Sequence, residues 1–220
     1  MESLLFESVI SAPFDQNAYV IWRPDRTDAL VVDPGFDTDS IDLLLSRRGL
    51  TVAAILNTHG HADHIAGNRA LKLRHPAAPL VIGRSESRLL EDPNLNLSAG
   101  FGLQLTSPPA DLLVDDGQRL DIAGIELLVR EIPGHSPGSV VYLADRCNPP
   151  VAIVGDVLFA GSVGRTDFPG GSSRTLFSGI RSRLFEMPDN TLVLSGHGPT
   201  TTIGTEKRDN PFVGVGTRVD

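Results

Sequence analysis

The chain has a single cysteine, Cys147, so no intramolecular disulfide can form and no thiolate cluster is available to bind a soft metal. No apolar run approaches the roughly 18 residues of a membrane span, which excludes a hydrophobic spanning helix. Positive charge is also scarce: 19 Lys and Arg stand against 27 Asp and Glu, for a formal net charge of −8. Nucleic-acid-binding surfaces are normally basic, so this balance argues against that class while allowing a local cationic pocket. The opening residues, Met1 to Glu7, are acidic and their apolar stretch is too short for a secretory signal, so the expected location is the cytoplasm. With 220 residues, 40% of them hydrophobic, the chain can bury a substantial core, and one domain over residues 1–220 is expected.

What is present is a concentration of histidine and aspartate. Residues 58–64 read Thr-His-Gly-His-Ala-Asp-His, which places His59, His61, Asp63 and His64 within six positions. Imidazole and carboxylate suit divalent zinc, iron or manganese. The apolar run Val52 to Leu56 before the cluster predicts a strand, and the segment Ile65 to Leu73 after it predicts a helix carrying Ile65, Leu71 and Leu73. The cluster therefore falls at the C-terminal end of a strand, where open α/β sheets place their sites.

The remaining pattern is mixed. Strands are expected at Leu4 to Ile10, Ala18 to Trp22 and Ala29 to Val32, the last ending in Asp33-Pro34-Gly35. A helix bearing Ile41, Leu44 and Leu45 should start near Asp37 and stop at Gly49. Further strands are expected at Leu80 to Ile82, at Val140 to Leu143, at Val151 to Val154 and at Thr191 to Leu194. A hairpin is expected over Leu120 to Leu127, a short helix over Glu86 to Glu91, and a helix carrying Leu176, Ile180 and Leu184. Residues 92–109 read as a long irregular loop, either functional or a surface excursion. The two halves look alike, which points to two packed sheets with helices outside.

Three more ligand-type residues, His135, Asp156 and His197, each end an expected strand beside glycine, a residue that permits close approach. The sixth histidine, His75, precedes a proline and reads as a surface residue.

Taken together, THGHADH, GHSPGS, GDVLF and SGHGP resemble the signature motifs of the metallo-β-lactamase superfamily, and Asp33-Pro34-Gly35 resembles its early Asp motif. The resemblance implies an αββα four-layer sandwich with two divalent metal ions, zinc first and iron or manganese as alternatives. It implies that His59, His61 and His135 bind one ion, that Asp63, His64 and His197 bind the other, and that Asp156 bridges them. Asp33 would be the outer carboxylate that orients the ligand loop. A hydroxide shared by the two ions would attack a carbonyl, with Asp63 orienting it as a catalytic residue. Cys147 is then incidental.

Within the superfamily, GDVLFAGSVGRTDFPGGS and GTEKRDNPF are most similar to the glyoxalase II group, in particular its short bacterial members, which hydrolyse S-acylglutathione thioesters such as S-lactoylglutathione. Arg165 matches a basic residue that holds the glutathione moiety in that group. Two departures stand out: Pro199 occupies a position where the group carries tyrosine, and too few residues follow His197 for the group's C-terminal helical domain. A more open, less selective thioesterase pocket follows, with a small-molecule thioester as the expected substrate and neither nucleic acid nor membrane as a partner. A second resemblance, in HADHIAG and GRTDF, is to the persulfide dioxygenase branch, which uses one iron on the equivalents of His59, His135 and Asp156.

Overall fold

The first two strands show how the layers arise. In the computed structural model, which describes residues 3–217, β1 (Leu5–Ser11) and β2 (Gln16–Trp22) pair antiparallel. Every residue of β2 is buried, yet Tyr19 and Ile21 join one apolar cluster while Ala18, Val20 and Trp22 join another. Successive side chains point to opposite faces of a strand, so β2 is covered on both sides. β3 (Asp28–Val32) repeats the division, with Leu30 and Val32 on the first face and Ala29 and Val31 on the second.

These strands continue into a six-stranded sheet through β4 (Thr51–Leu56), β5 (Leu80–Gly83) and β6 (Leu112–Val114), in chain order. The second sheet contains β7 (Arg119–Ile122), β8 (Ile125–Glu131), β9 (Val140–Ala144) and β10 (Val151–Gly155). A small hairpin of β11 (Leu158–Phe159) and β12 (Ser162–Val163) stands apart, and β13 (Leu192–Ser195) and β14 (Thr201–Thr202) complete the order β14-β13-β10-β9-β8-β7. Tyr19, Ile21, Leu30 and Val32 meet Leu127, Val129, Tyr142 and Ile153 between the sheets.

Helices cover both outer faces. Ile41, Leu44 and Leu45 of α1 (Thr38–Arg48), with Ile65 of α2 (Ala62–Ile65) and Leu71 of α3 (Asn68–Arg74), pack on the first sheet. Leu176 of α4 (Ser173–Gly179), Ile180 and Leu184 of the π turn that extends it, and Ile203 of α5 (Ile203–Asp209) pack on the second. The architecture is the expected αββα sandwich. No helix among the described residues is long and apolar enough to cross a membrane.

Local chemistry matches the expectation for α1: Asp37 accepts from the Ser40 amide, and Gly49 stops the helix at φ 65°. The helix expected from Ile65 to Leu73 is corrected. It breaks at Ala66-Gly67 into α2 and α3, and Leu73 is 78% exposed. A Cβ on Gly67 would lie 2.6 Å from Thr38 Cγ2 and 2.7 Å from the Gly35 carbonyl, so the close approach of the Asp33 loop fixes the break. The short helix expected at Glu86 is a 3₁₀ segment, Arg84–Leu90.

Strand direction decides where the site lies. β3 and β4 run parallel, so both deliver their C-terminal ends to one edge of the first sheet. β10 and β13 also run parallel, and β8 shares their sense because β9 opposes both β8 and β10. At this edge the sheets are tied together: Tyr19 Oη donates to the Ser195 carbonyl at 2.8 Å, and Tyr142 Oη to the Asn57 carbonyl at 2.9 Å.

Candidate metal centre

Four strand ends, those of β4, β8, β10 and β13, bring all seven expected donors together, and the end of β3 adds Asp33 beside them. Their atoms form three overlapping trios, each with donors within 4.8 Å of one another: His59, His61 and His135; His59, His64 and Asp156; Asp63, His64 and His197. Asp156 lies between the outer two, with Oδ2 3.5 Å from both His135 Nε2 and His197 Nε2 and Oδ1 3.3 Å from His64 Nε2. His197 Nε2 is 3.3 Å from Asp63 Oδ2. Glycine makes this density possible: a Cβ on Gly196 would sit 2.2 Å from Asp156 Oδ1 and 2.6 Å from His64 Cε1.

Outer partners set the orientation of the rings. His64 Nδ1 lies 3.0 Å from Asp33 Oδ2, His135 Nδ1 2.9 Å from the Arg165 carbonyl, and His197 Nδ1 3.1 Å from the Phe14 carbonyl. A carbonyl only accepts, so Nδ1 carries the proton in His135 and His197 and Nε2 offers its lone pair inward. Thr58 Oγ1 donates to Asp33 Oδ2 at 2.7 Å and lies 3.1 Å from His59 Nδ1, and the Thr58 amide donates to Asp33 Oδ1. Asp33 thus touches His64 directly and reaches His59 through Thr58. His61 is the exception, since its Nδ1 faces inward, 2.9 Å from His135 Nε2.

The donor set fits a divalent cation. His59 Nε2, His64 Nε2 and Asp156 Oδ1 are buried without a hydrogen-bond partner, and all three point into the cluster. Buried polar atoms are almost always paired, so three such orphans converging on one place mark a site built for a ligand. Burial and the neighbouring imidazoles push His59 well below its ordinary pKa, and burial with His135 pushes His61 down to about 3. Burial lowers His135 as well. These three rings are held neutral, the form that ligates. On the other side burial opposes protonation of His64, but Asp156, Asp63 and Asp33 outweigh it and raise its pKa well above the usual value. His197 is raised too, against its burial, by its bond to Asp63.

One residue of the centre escapes sequence reasoning. Glu86 is completely buried and accepts from the Gly60 amide at 2.9 Å, the Gly138 amide at 2.6 Å and Ser136 Oγ at 2.8 Å. It therefore clips the loop of His59 and His61 to the loop of His135. The pattern carried no signal for it, because Glu86 stands in the polar stretch Arg84-Ser85-Glu86-Ser87-Arg88 and reads as a solvated residue. His75 and Cys147 lie apart from the cluster: His75 is near Asp42, and Cys147 is buried between the sheets.

The metallo-β-lactamase superfamily profile matches residues 12–197, which holds every donor named above. The chain belongs to the metallo-β-lactamase superfamily. It is 40% identical to "Probable metallo-hydrolase YqgX" of Bacillus subtilis over 202 residues, covering 91% of this chain and 93% of that one. To "Hydroxyacylglutathione hydrolase GloC" of Haemophilus influenzae it is 34% identical, again over 91% and 93%. Among solved structures it resembles BLEG-1 B3 metallo-β-lactamase, with a TM-score of 0.90 at 40% identity over 95% and 99% of the two chains. It also resembles TTHA1623 in a di-iron-bound form, with a TM-score of 0.82 at 34% identity over 94% and 99%. ETHE1 from Myxococcus xanthus follows with a TM-score of 0.77 at 28% identity, over 95% and 84%.

In this superfamily member the centre opens on a cavity of about 390 Å³, lined by His61, Asp63, His135, Asp156 and His197 on its floor. The 92–109 loop supplies part of the wall through Leu97 and Phe101. It is anchored by Asn96, whose carbonyl accepts from the Ala62 amide at 2.9 Å. Of the two readings of this loop, the structure supports the one in which it shapes the site. Arg165 is at the wall as well, but its guanidinium makes two bonds to Asp167, at 2.7 and 2.6 Å, while its carbonyl holds His135.

Proposed function

We propose that the protein hydrolyses S-acyl thioesters of the S-lactoylglutathione kind, using two divalent metal ions held by His59, His61, Asp63, His64, His135, Asp156 and His197. The observation that carries this reading is the convergence of seven donors, three with orphaned inward atoms, at the floor of an open cavity. The likeness to GloC supports the thioester class. When bound, the ions supply water ionised near neutral pH and a Lewis acid for the substrate carbonyl.

The chain's own residues do the rest. Asp63 faces the cavity and directs the attacking water through its carboxylate. The water gives up a proton to solvent, its oxygen forms the new bond to the acyl carbon, the C–S bond breaks and sulfur leaves with the electron pair as thiolate; the carboxylic acid formed loses its remaining proton to solvent. A thiol has a pKa of about 8.5, so this leaving group departs without a proton donor. Neither Ser nor Cys is needed as a nucleophile, in keeping with the burial of Cys147 between the sheets.

The test is turnover of S-lactoylglutathione, with metal content measured on the same preparation. Thiol release with about two metals per chain is expected. A preparation holding a single iron, inert on thioesters and consuming oxygen with glutathione persulfide, would replace this reading with the dioxygenase one.

A further inference from the structure

The cavity above the donors is walled by hydrocarbon. Phe168 lies edge-on to His61 at 5.3 Å and to His135 at 6.0 Å, and Phe159 edge-on to His197 at 6.0 Å. Phe14, also in the lining, meets Phe101 at 5.2 Å and Phe36 at 6.0 Å. Phe101 is 61% exposed and Phe36 37%, so an aromatic path runs from the surface to the donors. Leu97 completes the wall in a left-handed conformation, φ 70°. For a residue with a bulky side chain that backbone is strained, and such strain gathers at ligand sites.

Polar recognition is nearly absent from the same wall. Away from the donors, its polar side chains are Asn96, Ser162 and Arg165. Asn96 is committed: Nδ2 donates to the Leu89 and Leu105 carbonyls, and Oδ1 accepts from the Ser98 amide. Arg165 is paired with Asp167 and lies 4.2 Å above the Phe168 ring. Among the described residues of the wall, only the Ser162 hydroxyl and the paired Arg165 face a peptide-like thiol carrier, and the chain's net charge of −8 disfavours its carboxylates.

We infer that this pocket selects its substrate by an apolar acyl group and leaves the thiol carrier largely unread. The inference rests on the thioester reading and names the substrate class within it. Burial of hydrocarbon against four phenylalanines stabilises the bound acyl chain in proportion to its apolar area.

The experiment compares kcat/KM of the metal-loaded enzyme for hexanoyl and lactoyl thioesters, each on glutathione and on N-acetylcysteamine. Hexanoyl should exceed lactoyl by roughly tenfold or more on either thiol, the scale on which apolar pockets discriminate. A smaller ratio overturns the inference, as does a preference of more than about tenfold for the glutathione esters. Failure to hydrolyse any of the four overturns the thioester reading itself, which separates the two failures. Phe101→Ala, at an exposed position that does not support the core, should reduce the hexanoyl-to-lactoyl ratio by roughly fivefold. An unchanged ratio counts against the assignment of the wall. Calorimetry supplies an independent readout: hexanoate should bind the loaded enzyme more tightly than lactate and with a more negative heat-capacity change. Equal affinities would count against the apolar pocket.

Discussion

Asp33 does more for the centre than its distance from the donors suggests. It accepts from the Thr58 amide and hydroxyl and faces His64 Nδ1, so one carboxylate sets two rings. Asp33→Asn would turn an amide donor towards at least one of these donors. Metal affinity should fall by about 10–100-fold while the fold persists, measured by competition with a chromophoric chelator. Wild-type affinity in the variant would remove Asp33 from this role. At this scale the sequence was highly legible, because ligand chemistry belongs to residue type: His59, His135 and Asp156 announce themselves wherever they stand. Arg165 was read by its side chain, whereas its carbonyl is what touches His135. A backbone contribution of that kind leaves no trace in residue identity.

Among the elements, the 3₁₀ segment Arg84–Leu90 acts as a wedge between two ligand loops. A Cβ on Gly60 would lie 2.4 Å from Leu89 Cβ, and one on Gly138 would lie 2.2 Å from Ser85 Cβ. Glu86 holds the wedge in place through partners 26 and 52 residues away in sequence for its two amide bonds. Glu86→Ala would strand two buried amide donors and should cost about 3 kcal/mol of stability. Urea unfolding of metal-free protein is the measurement, and a loss below about 1 kcal/mol would show that water or rearrangement replaces the carboxylate. The long strands were legible from their apolar runs. β6, β14 and the β11–β12 hairpin were not, because two or three residues carry no periodicity to read. Glu86 was invisible for a different reason: its partners are assigned by topology, not by neighbours.

For the whole molecule, the donors come from both sheets, so a cation at this edge would bind the folded state in preference to the unfolded chain. A ligand at a hundredfold excess over its Kd adds about 2.7 kcal/mol, so chelation should lower Tm by roughly 5–10 °C. The sign of the pH effect follows from the raised pKa values of His64 and His197. Below those values a proton occupies the ring nitrogen that a cation needs, and above them the lone pair is free. The chelator-sensitive part of Tm should therefore be larger at pH 8 than at pH 6, and calorimetric scans with and without chelator would show it. A shift that grows on acidification would contradict the ligand assignment. The layered architecture was readable as a whole from the likeness of the two halves and from motifs that resemble those of the superfamily, and ligand-type residues follow strand ends four times along the chain.

The same arrangement imposes an order in time. His59 and His61 are made early in synthesis, but the nitrogen that faces Asp63 belongs to His197, on a loop that follows the second sheet's β13. A nascent chain folds its N-terminal part first. Until the second sheet has docked, the early histidines are an incomplete clamp, with no His135, Asp156 or His197 to close it. A complete set of donors therefore exists only once both halves of the polypeptide have been made and joined.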